Sequence, residues 1–289
     1  MKVLVAEKCG FCHGVRNAIS VAEQILAEEH DVYSLGPIIH NKDVVDRLAK
    51  SGLKTVGTVE EILSGTVLIR SHGAAPAQIA TLKEKGFKIV DATCVLVKRV
   101  QHIAAELEQD GYKVVIIGEE NHPEVQAVVG CARDVVVLAD ESDLYKLGSN
   151  GKLGVVFQTT QNPEGVGKML GAIGCGSFNE LKVINTLCKE AIKRQESAVQ
   201  LCRQVEIMFV LGGLESANTS RLADLCKRVN PQTYHLQNWA ELDEGVLSGK
   251  KTAGVTAGAS TPDWIINEFV ENLKVFDRAE KVMRGGRKK

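Results

Sequence analysis

Lys88-Ile89-Val90-Asp91-Ala92-Thr93-Cys94 and Lys182-Val183-Ile184-Asn185-Thr186-Leu187-Cys188 are two copies of one pattern. Each reads as a short β-rich strand that ends in a cysteine and runs into a helical stretch. Cys12 also follows a short apolar strand and precedes a helix. Counting 24 residues on from each cysteine lands on a glycine: Gly36, Gly118 and Gly212. Counting 28 residues on lands on a polar loop residue: His40, His122 and Ser216. A third strand then ends in a small polar turn, at Arg70-Ser71-His72-Gly73, Phe157-Gln158-Thr159-Thr160 and Val255-Thr256-Ala257-Gly258-Ala259-Ser260. Offsets held across three copies mark an internal repeat, so the chain reads as three α/β modules of roughly 90 residues. Each module contributes one cysteine and two polar loops at strand C-terminal ends, where open α/β sheets place their ligands.

The rest of the chain agrees. Apolar runs at 114–117, 135–138, 155–157 and 207–211 and around Val255 alternate with helical stretches such as 15–27 and 97–108. In the latter, Val97, Val100, Ile103, Ala104 and Leu107 recur at helical spacing. Alternating strands and helices predict mainly parallel sheets, and continuous apolar strands predict that both sheet faces are covered. The composition, 44% apolar and 25% charged over 289 residues, excludes disordered and low-complexity classes. A net charge of −1 provides no general field for nucleic acid or an anionic membrane. The basic cluster at 284–289 reads as a solvated end. No run approaches the length of a membrane span, and Val3-Leu4-Val5-Ala6 is too short for the apolar region of a signal peptide. The chain is therefore expected to be cytoplasmic, where its eight cysteines serve as metal ligands, catalysts or small apolar side chains in preference to disulfides.

Three thiols at one repeated position suit an iron–sulfur cluster, which can hang on three cysteines and leave one iron open. Structural zinc takes four ligands, and no repeat supplies a second cysteine at that position. Cys131, Cys175, Cys202 and Cys226 fall outside the repeat and are expected to be small buried side chains. Cys9-Gly10-Phe11-Cys12 also has the spacing of a redox dithiol. The loops are suited to an anion: His40, His72 and His122 all follow strands, and Ser216, Asn218 and Ser260 hold matching places in the third module. No phosphate loop of the nucleotide-hydrolase kind is present, which points to a small phosphorylated metabolite. Glu124, in His122-Pro123-Glu124, is the best proton donor for a reduction that expels hydroxide, with Thr159 or Thr160 as a relay.

These residues resemble the 4-hydroxy-3-methylbut-2-enyl diphosphate reductase family over essentially the whole chain. The likeness runs through Gly10-Phe11-Cys12, Leu35-Gly36-Pro37-Ile38-Ile39-His40-Asn41, Arg70-Ser71-His72-Gly73, Asp91-Ala92-Thr93-Cys94, His122-Pro123-Glu124-Val125, Gln158-Thr159-Thr160, Arg194-Gln195 and Thr256-Ala257-Gly258-Ala259-Ser260-Thr261-Pro262. It implies a pseudo-three-fold trefoil of three α/β modules around one 4Fe–4S cluster per chain. The implied modules are 13–93, 94–185 and 1–12 plus 186–289, the N-terminal strand joining the third. The resemblance further implies that the unique iron binds the substrate's hydroxyl. Ferredoxin or flavodoxin then supplies two electrons, and the products are isopentenyl and dimethylallyl diphosphate and water. By position it implies Cys12, Cys94 and Cys188 as cluster ligands. His40, His72, His122, Ser216, Asn218 and Ser260 become the diphosphate site, and Glu124 the proton donor with Thr159 beside it. The chain departs from the family pattern at His13, Val95, Ala191, Leu214-Glu215 and Ala217. Leu214-Glu215 replaces a usual Lys-Asn pair. Two other readings share these features: a paralogue reducing another small substrate, and a cluster-bearing redox sensor without turnover.

Overall fold

The computed structural model describes residues 1–148 and 151–286, with backbone alone for 217 and 279–286. The basic cluster at 284–289 lies outside the described side chains. Strands and helices alternate from end to end: β1 (Lys2–Val5), α1 (His13–Glu28), β2 (Val32–Leu35), α2 (Lys42–Lys50), β3 (Leu53–Val56), β4 (Thr66–Ile69), α3 (Pro76–Glu84), β5 (Lys88–Asp91), α4 (Val95–Gln109), β6 (Lys113–Ile117), α5 (Pro123–Val129), β7 (Val135–Leu138), β8 (Lys152–Phe157), α6 (Pro163–Gly174), β9 (Glu180–Val183), α7 (Lys189–Cys202), β10 (Ile207–Leu211), α8 (Ala217–Val229), β11 (Thr233–Leu236), β12 (Thr252–Ala257) and α9 (Asp263–Gly286). No described helix is long and apolar enough to cross a membrane.

The chain forms two compact units. One comprises Met1–His13, His40–Val44 and Lys193–Lys289, and the other Gly14–Ile39 and Val45–Ile192. The first unit holds one parallel sheet of order β1-β12-β10-β11, with β1 paired to β12 so that Leu4 faces Gly254 and Val5 faces Val255. The second unit holds two parallel sheets, β3-β2-β4-β5 and β7-β6-β8-β9. All three sheets have the same topology. The second strand of each lies outside the first, the chain then crosses back, and the third strand pairs on the first's other side. The strand order therefore reverses between β2 and β4, between β6 and β8, and between β10 and β12. Loops at the C-terminal ends of such a strand pair diverge and leave a crevice for ligand.

Burial follows from this topology. β2, β4 and β10 are buried at every residue, because helices cover both faces of central parallel strands. The edge strands β1, β5 and β9 share one pattern, exposed at both ends and half-buried between. The apolar stripe of α4, Val97, Val100, Ile103, Ala104 and Leu107, is buried as its spacing requires. The helix packs closely on β8 because Gly154 has no side chain; a Cβ there lies 2.8 Å from Leu107 Cδ2. Gly254 does the same on β12, where a Cβ lies 3.1 Å from Leu201 Cγ of α7. Each of these helices follows a repeated cysteine and packs on the sheet of the next module.

Candidate active site and metal-ligating residues

Each repeated cysteine sits between an edge strand and a helix, and its backbone is held in the same way. The Cys94 N–H donates to the Ser71 carbonyl at 3.0 Å, that of Cys188 to the Thr159 carbonyl at 2.8 Å, and that of Cys12 to the Ala259 carbonyl at 3.2 Å. Ser71, Thr159 and Ala259 are thereby fixed as equivalent positions in the turns after β4, β8 and β12. All three cysteines are outside disulfides, partly accessible, at helix starts. Three residues before Cys94 and Cys188, Asp91 and Asn185 make matching Asx turns, accepting the Thr93 N–H at 2.9 Å and the Leu187 N–H at 3.0 Å. Asp91 is thus a turn residue. Burial raises its pKa, but hydrogen bonds from Lys98 and Thr93 outweigh that and hold it below the usual carboxylate range.

Cys9 takes the same place before Cys12. Its side chain packs against the apolar core that includes Phe209, Val255 and Phe269. Burial pushes its thiol up to about 11, against the pull of the Arg194 guanidinium. A thiol that stays protonated at neutral pH is a poor redox nucleophile, so Cys9-Gly10-Phe11-Cys12 does not read as a redox dithiol. Cys202 and Cys226 are fully buried in the core around β10, and their mutual hydrogen bond and burial push Cys226 up. Cys131 is half-buried and also raised, to about 11, by burial. Cys175 departs from the expectation of a buried side chain. It caps the C-terminal end of α6 and is exposed, because that position faces water where the helix stops.

The polar loops follow the first strand of each sheet. The N–H groups of Gly36, Gly118 and Gly212 donate to the carbonyls ending the neighbouring strands, at Val56, Leu138 and Leu236. Each loop then runs into a helix. His122 caps α5, its Nδ1 accepting the Glu124 N–H at 3.2 Å, with Pro123 in the first helical turn. An accepting Nδ1 puts the proton of the neutral ring on Nε2. His72 stands edge-on to His122, ring centroids 5.6 Å apart. Ser216 caps α8, with Asn218 in that helix's first turn. In the first module the cap is Asn41, whose Oδ1 accepts the Val44 N–H at 3.1 Å, so the polar residue found by counting, His40, stands one position ahead of the cap. Ser260 donates its hydroxyl to the His40 carbonyl at 3.1 Å.

Glu124 is 3% exposed. Its Oε1 accepts the Thr159 N–H at 2.6 Å and its Oε2 the Thr159 hydroxyl at 2.9 Å. Thr159 also accepts the Cys188 N–H, so one residue joins the carboxyl group to the backbone of a repeated cysteine. Thr160 points elsewhere, its hydroxyl accepting from Gln158 Nε2 at 3.2 Å. Between the two relay candidates, Thr159 is the one in contact with Glu124.

Several contributors lie outside the residues singled out by the sequence. Arg70 lies across Gly36, where a Cβ would come within 2.5 Å of its Nη1, and Gln158 lies across Gly118 in the same way at 2.9 Å. Gly36 has φ +71°, so glycine is required there on backbone grounds as well. Burial lowers the pKa of Arg70, a cost that only a specific position justifies. Arg194 is 5% exposed and donates from Nη1 to the Ala257 carbonyl at 3.2 Å, bracing the end of β12. The repeated turn positions were the signal for Arg70 and Gln158; Arg194 stands in a motif to which the sequence gave no role.

Thiols at matched backbone positions, polar loop side chains and a buried carboxyl group follow the C-terminal ends of parallel strands, the arrangement of an α/β enzyme. The chain belongs to the LytB family: the family model described as LytB protein matches residues 3–274. It is 40% identical to the 4-hydroxy-3-methylbut-2-enyl diphosphate reductase of Geobacter sulfurreducens, over 97% of this chain and 100% of that one. With the reductase of Pelobacter propionicus the identity is 42%, over 94% and 98%. A solved structure of (E)-4-hydroxy-3-methyl-but-2-enyl diphosphate reductase, the terminal enzyme of the non-mevalonate pathway, aligns with TM-score 0.70 at 41% identity, over 94% of this chain and 99% of that one. The E-1-hydroxy-2-methyl-but-2-enyl-4-diphosphate reductase of Plasmodium falciparum aligns with TM-score 0.88 at 25% identity, over 93% and 87%.

Proposed function

We infer that this chain reduces 4-hydroxy-3-methylbut-2-enyl diphosphate to isopentenyl and dimethylallyl diphosphate, the last step of the non-mevalonate isoprenoid pathway, as an iron–sulfur enzyme in the cytoplasm. The reaction consumes two electrons and two protons. The allylic C–O bond breaks, one proton leaves with the hydroxyl as water, and the other ends on one or the other end of the allyl unit, which gives the two isomers. The observation that carries this reading is the pairing of Glu124 with Thr159, one backbone hydrogen bond away from Cys188.

The donor set suits one 4Fe–4S cluster per chain: three partly accessible cysteines, outside disulfides, on matched backbone positions. We assign Cys12, Cys94 and Cys188 as its ligands; with modules at 13–93, 94–185 and 1–12 plus 186–289, each cysteine lies at or next to a module junction. When bound, the cluster supplies electrons one at a time and an iron without a protein ligand that acts as a Lewis acid. Ferredoxin or flavodoxin is the electron donor.

The protein's own part is to hold the diphosphate and a proton. His40, His72, His122, Ser216, Asn218 and Ser260 bind the diphosphate. With Nδ1 of His122 accepting from the Glu124 N–H, the donor of the neutral ring is Nε2. In the ionised form Glu124 Oε2 accepts the Thr159 hydroxyl; protonated on Oε2, Glu124 donates to Thr159 Oγ1 and the threonine proton turns onward, because a hydroxyl can accept and donate at once. Burial of Glu124 and Thr159 keeps bulk water from intercepting the transfer.

The test is anaerobic turnover of the reconstituted protein with 4-hydroxy-3-methylbut-2-enyl diphosphate and a reduced viologen dye, with both products measured. Formation of isopentenyl and dimethylallyl diphosphate at the rate of dye oxidation is the expected result. A fully iron-loaded protein that oxidises no dye on adding this substrate overturns the reading.

A further inference from the structure

The third module lacks the clamp found in the other two. Arg70 and Gln158 cover the loop glycines Gly36 and Gly118, but the equivalent third-module position is Gly258. The place is filled from a helix instead. Thr219, in the first turn of α8, is fully buried. Its side chain sits against both glycines: a Cβ at Gly258 would lie 2.0 Å from Thr219 Oγ1, and one at Gly212 3.0 Å from Thr219 Cγ2. Thr261 closes the other side. A Cβ at Gly212 would lie 2.6 Å from Thr261 Oγ1, which donates to the Leu211 carbonyl at 2.9 Å.

This placement governs Ser216. The Thr219 hydroxyl donates to Ser216 Oγ at 3.0 Å, and the Thr219 N–H reaches the same oxygen at 3.4 Å. A serine hydroxyl has two lone pairs and one proton. With both lone pairs engaged, the capacity left to Ser216 is donation. Ser260 differs, since its proton already goes to the His40 carbonyl. We propose that Thr219 is a positioning residue that makes Ser216 an obligate donor to the diphosphate. This rests on the diphosphate reading of Ser216. Two hydroxyls in series polarise each other, and the N-terminal end of α8 adds a positive potential, so the outward O–H is strengthened for an anion before the substrate arrives.

The holoenzyme variants Thr219→Val, Thr219→Ser, Ser216→Ala and the double Ser216→Ala/Thr219→Val test this, with inorganic pyrophosphate as the probe for affinity and substrate turnover for KM and kcat. Valine keeps the shape of threonine and removes the hydroxyl. Thr219→Val is expected to raise the pyrophosphate Kd and the substrate KM about five- to tenfold, the scale of one neutral hydrogen bond, with a much smaller change in kcat. Thr219→Ser, which retains the donor, restores affinity to within about twofold on the same reasoning. In the Ser216→Ala background Thr219→Val adds nothing, because its effect passes through the missing hydroxyl. Unchanged affinity in Thr219→Val, or a full additional loss in the double variant, overturns the positioning role. Unchanged affinity in Ser216→Ala alone overturns the diphosphate reading instead. If Thr219→Val loses iron or melts early, the Thr219→Ser comparison decides: weak binding in a stable Thr219→Ser protein also overturns the proposal.

Discussion

Replacing Glu124 with glutamine removes a titratable acid and almost nothing else. In the native site Oε1 accepts the Thr159 N–H and Oε2 accepts the Thr159 hydroxyl, at 2.6 and 2.9 Å. A glutamine carbonyl still accepts the N–H. Its amide nitrogen donates to Thr159 Oγ1, and the threonine hydroxyl rotates to give its proton elsewhere. The number of hydrogen bonds at this buried position is preserved, so the cost to folding is at most about 1 kcal/mol. The carbonyl of Thr159 keeps its bond to the Cys188 N–H, so cysteine geometry and iron content are expected to hold. What disappears is the acid. Removal of a positioned general acid lowers turnover by about 10²- to 10⁴-fold, or roughly 3–5 kcal/mol of barrier. The assay is anaerobic single turnover of the iron-quantified variant with the allylic diphosphate, with Kd for pyrophosphate measured on the same sample. Pyrophosphate binding within about twofold of the native protein, together with a rate at least 100-fold lower, is the expected pattern. Turnover within about threefold of native by an iron-replete variant would refute the reasoning, since that is far below the scale of general acid catalysis. Thr159→Val sharpens the test: it keeps the N–H bond to Glu124 but breaks the relay, and should also slow turnover without loss of iron.

Three further outcomes follow from other parts of the chain. Cys12→Ser, Cys94→Ser and Cys188→Ser should each abolish the brown colour and the roughly four irons per chain of anaerobically purified protein, while Cys131→Ser and Cys226→Ser should not; full iron content in Cys188→Ser contradicts the ligand assignment. Leu214, 53% exposed, and the exposed Glu215 precede Ser216, so Leu214→Lys with Glu215→Asn should lower the substrate KM several-fold at low ionic strength. The gain should shrink in about 0.5 M salt because exposed charges are screened; a KM that rises instead rules out the repulsion. His235 donates from Nε2–H to the Gly212 carbonyl at 3.1 Å, and burial holds its pKa below the ordinary value despite that bond. A base with a depressed folded-state pKa binds more protons when unfolded, so its contribution to stability is present above the unfolded pKa and is lost as pH falls below it. Thermal midpoints taken between pH 7.5 and 5.5 should therefore fall less steeply in His235→Gln than in the native protein; an identical slope removes His235 from the account.

The sequence by itself determined the module and its stations. Three cysteines with a glycine and a polar residue at constant offsets could be found by counting, because a parallel strand–helix–strand unit of fixed length repeats its loop positions. The topology places the cysteines after β1, β5 and β9 and the glycines and polar residues after β2, β6 and β10, all at strand C-terminal ends, and the Asx turns at Asp91 and Asn185 repeat with them. The apolar stripe of α4 and the buried central strands were legible for a similar reason, since periodicity records which face meets the core. Contacts between stations were not legible. The choice of Thr159 over Thr160 as partner of Glu124 depends on how the turn after β8 meets the start of α5, a contact between segments 35 residues apart. Cys9 shared the spacing of a redox dithiol, and only its burial against the β10–β12 core makes it a packing residue. Thr219 carried no signal, because its place exists only where Gly212 and Gly258, from two different loops, both lack a side chain. Spacing along the chain is fixed by local geometry; which side chain fills a gap between loops is fixed by the packing of segments distant in sequence, and that is decided when the sheet closes.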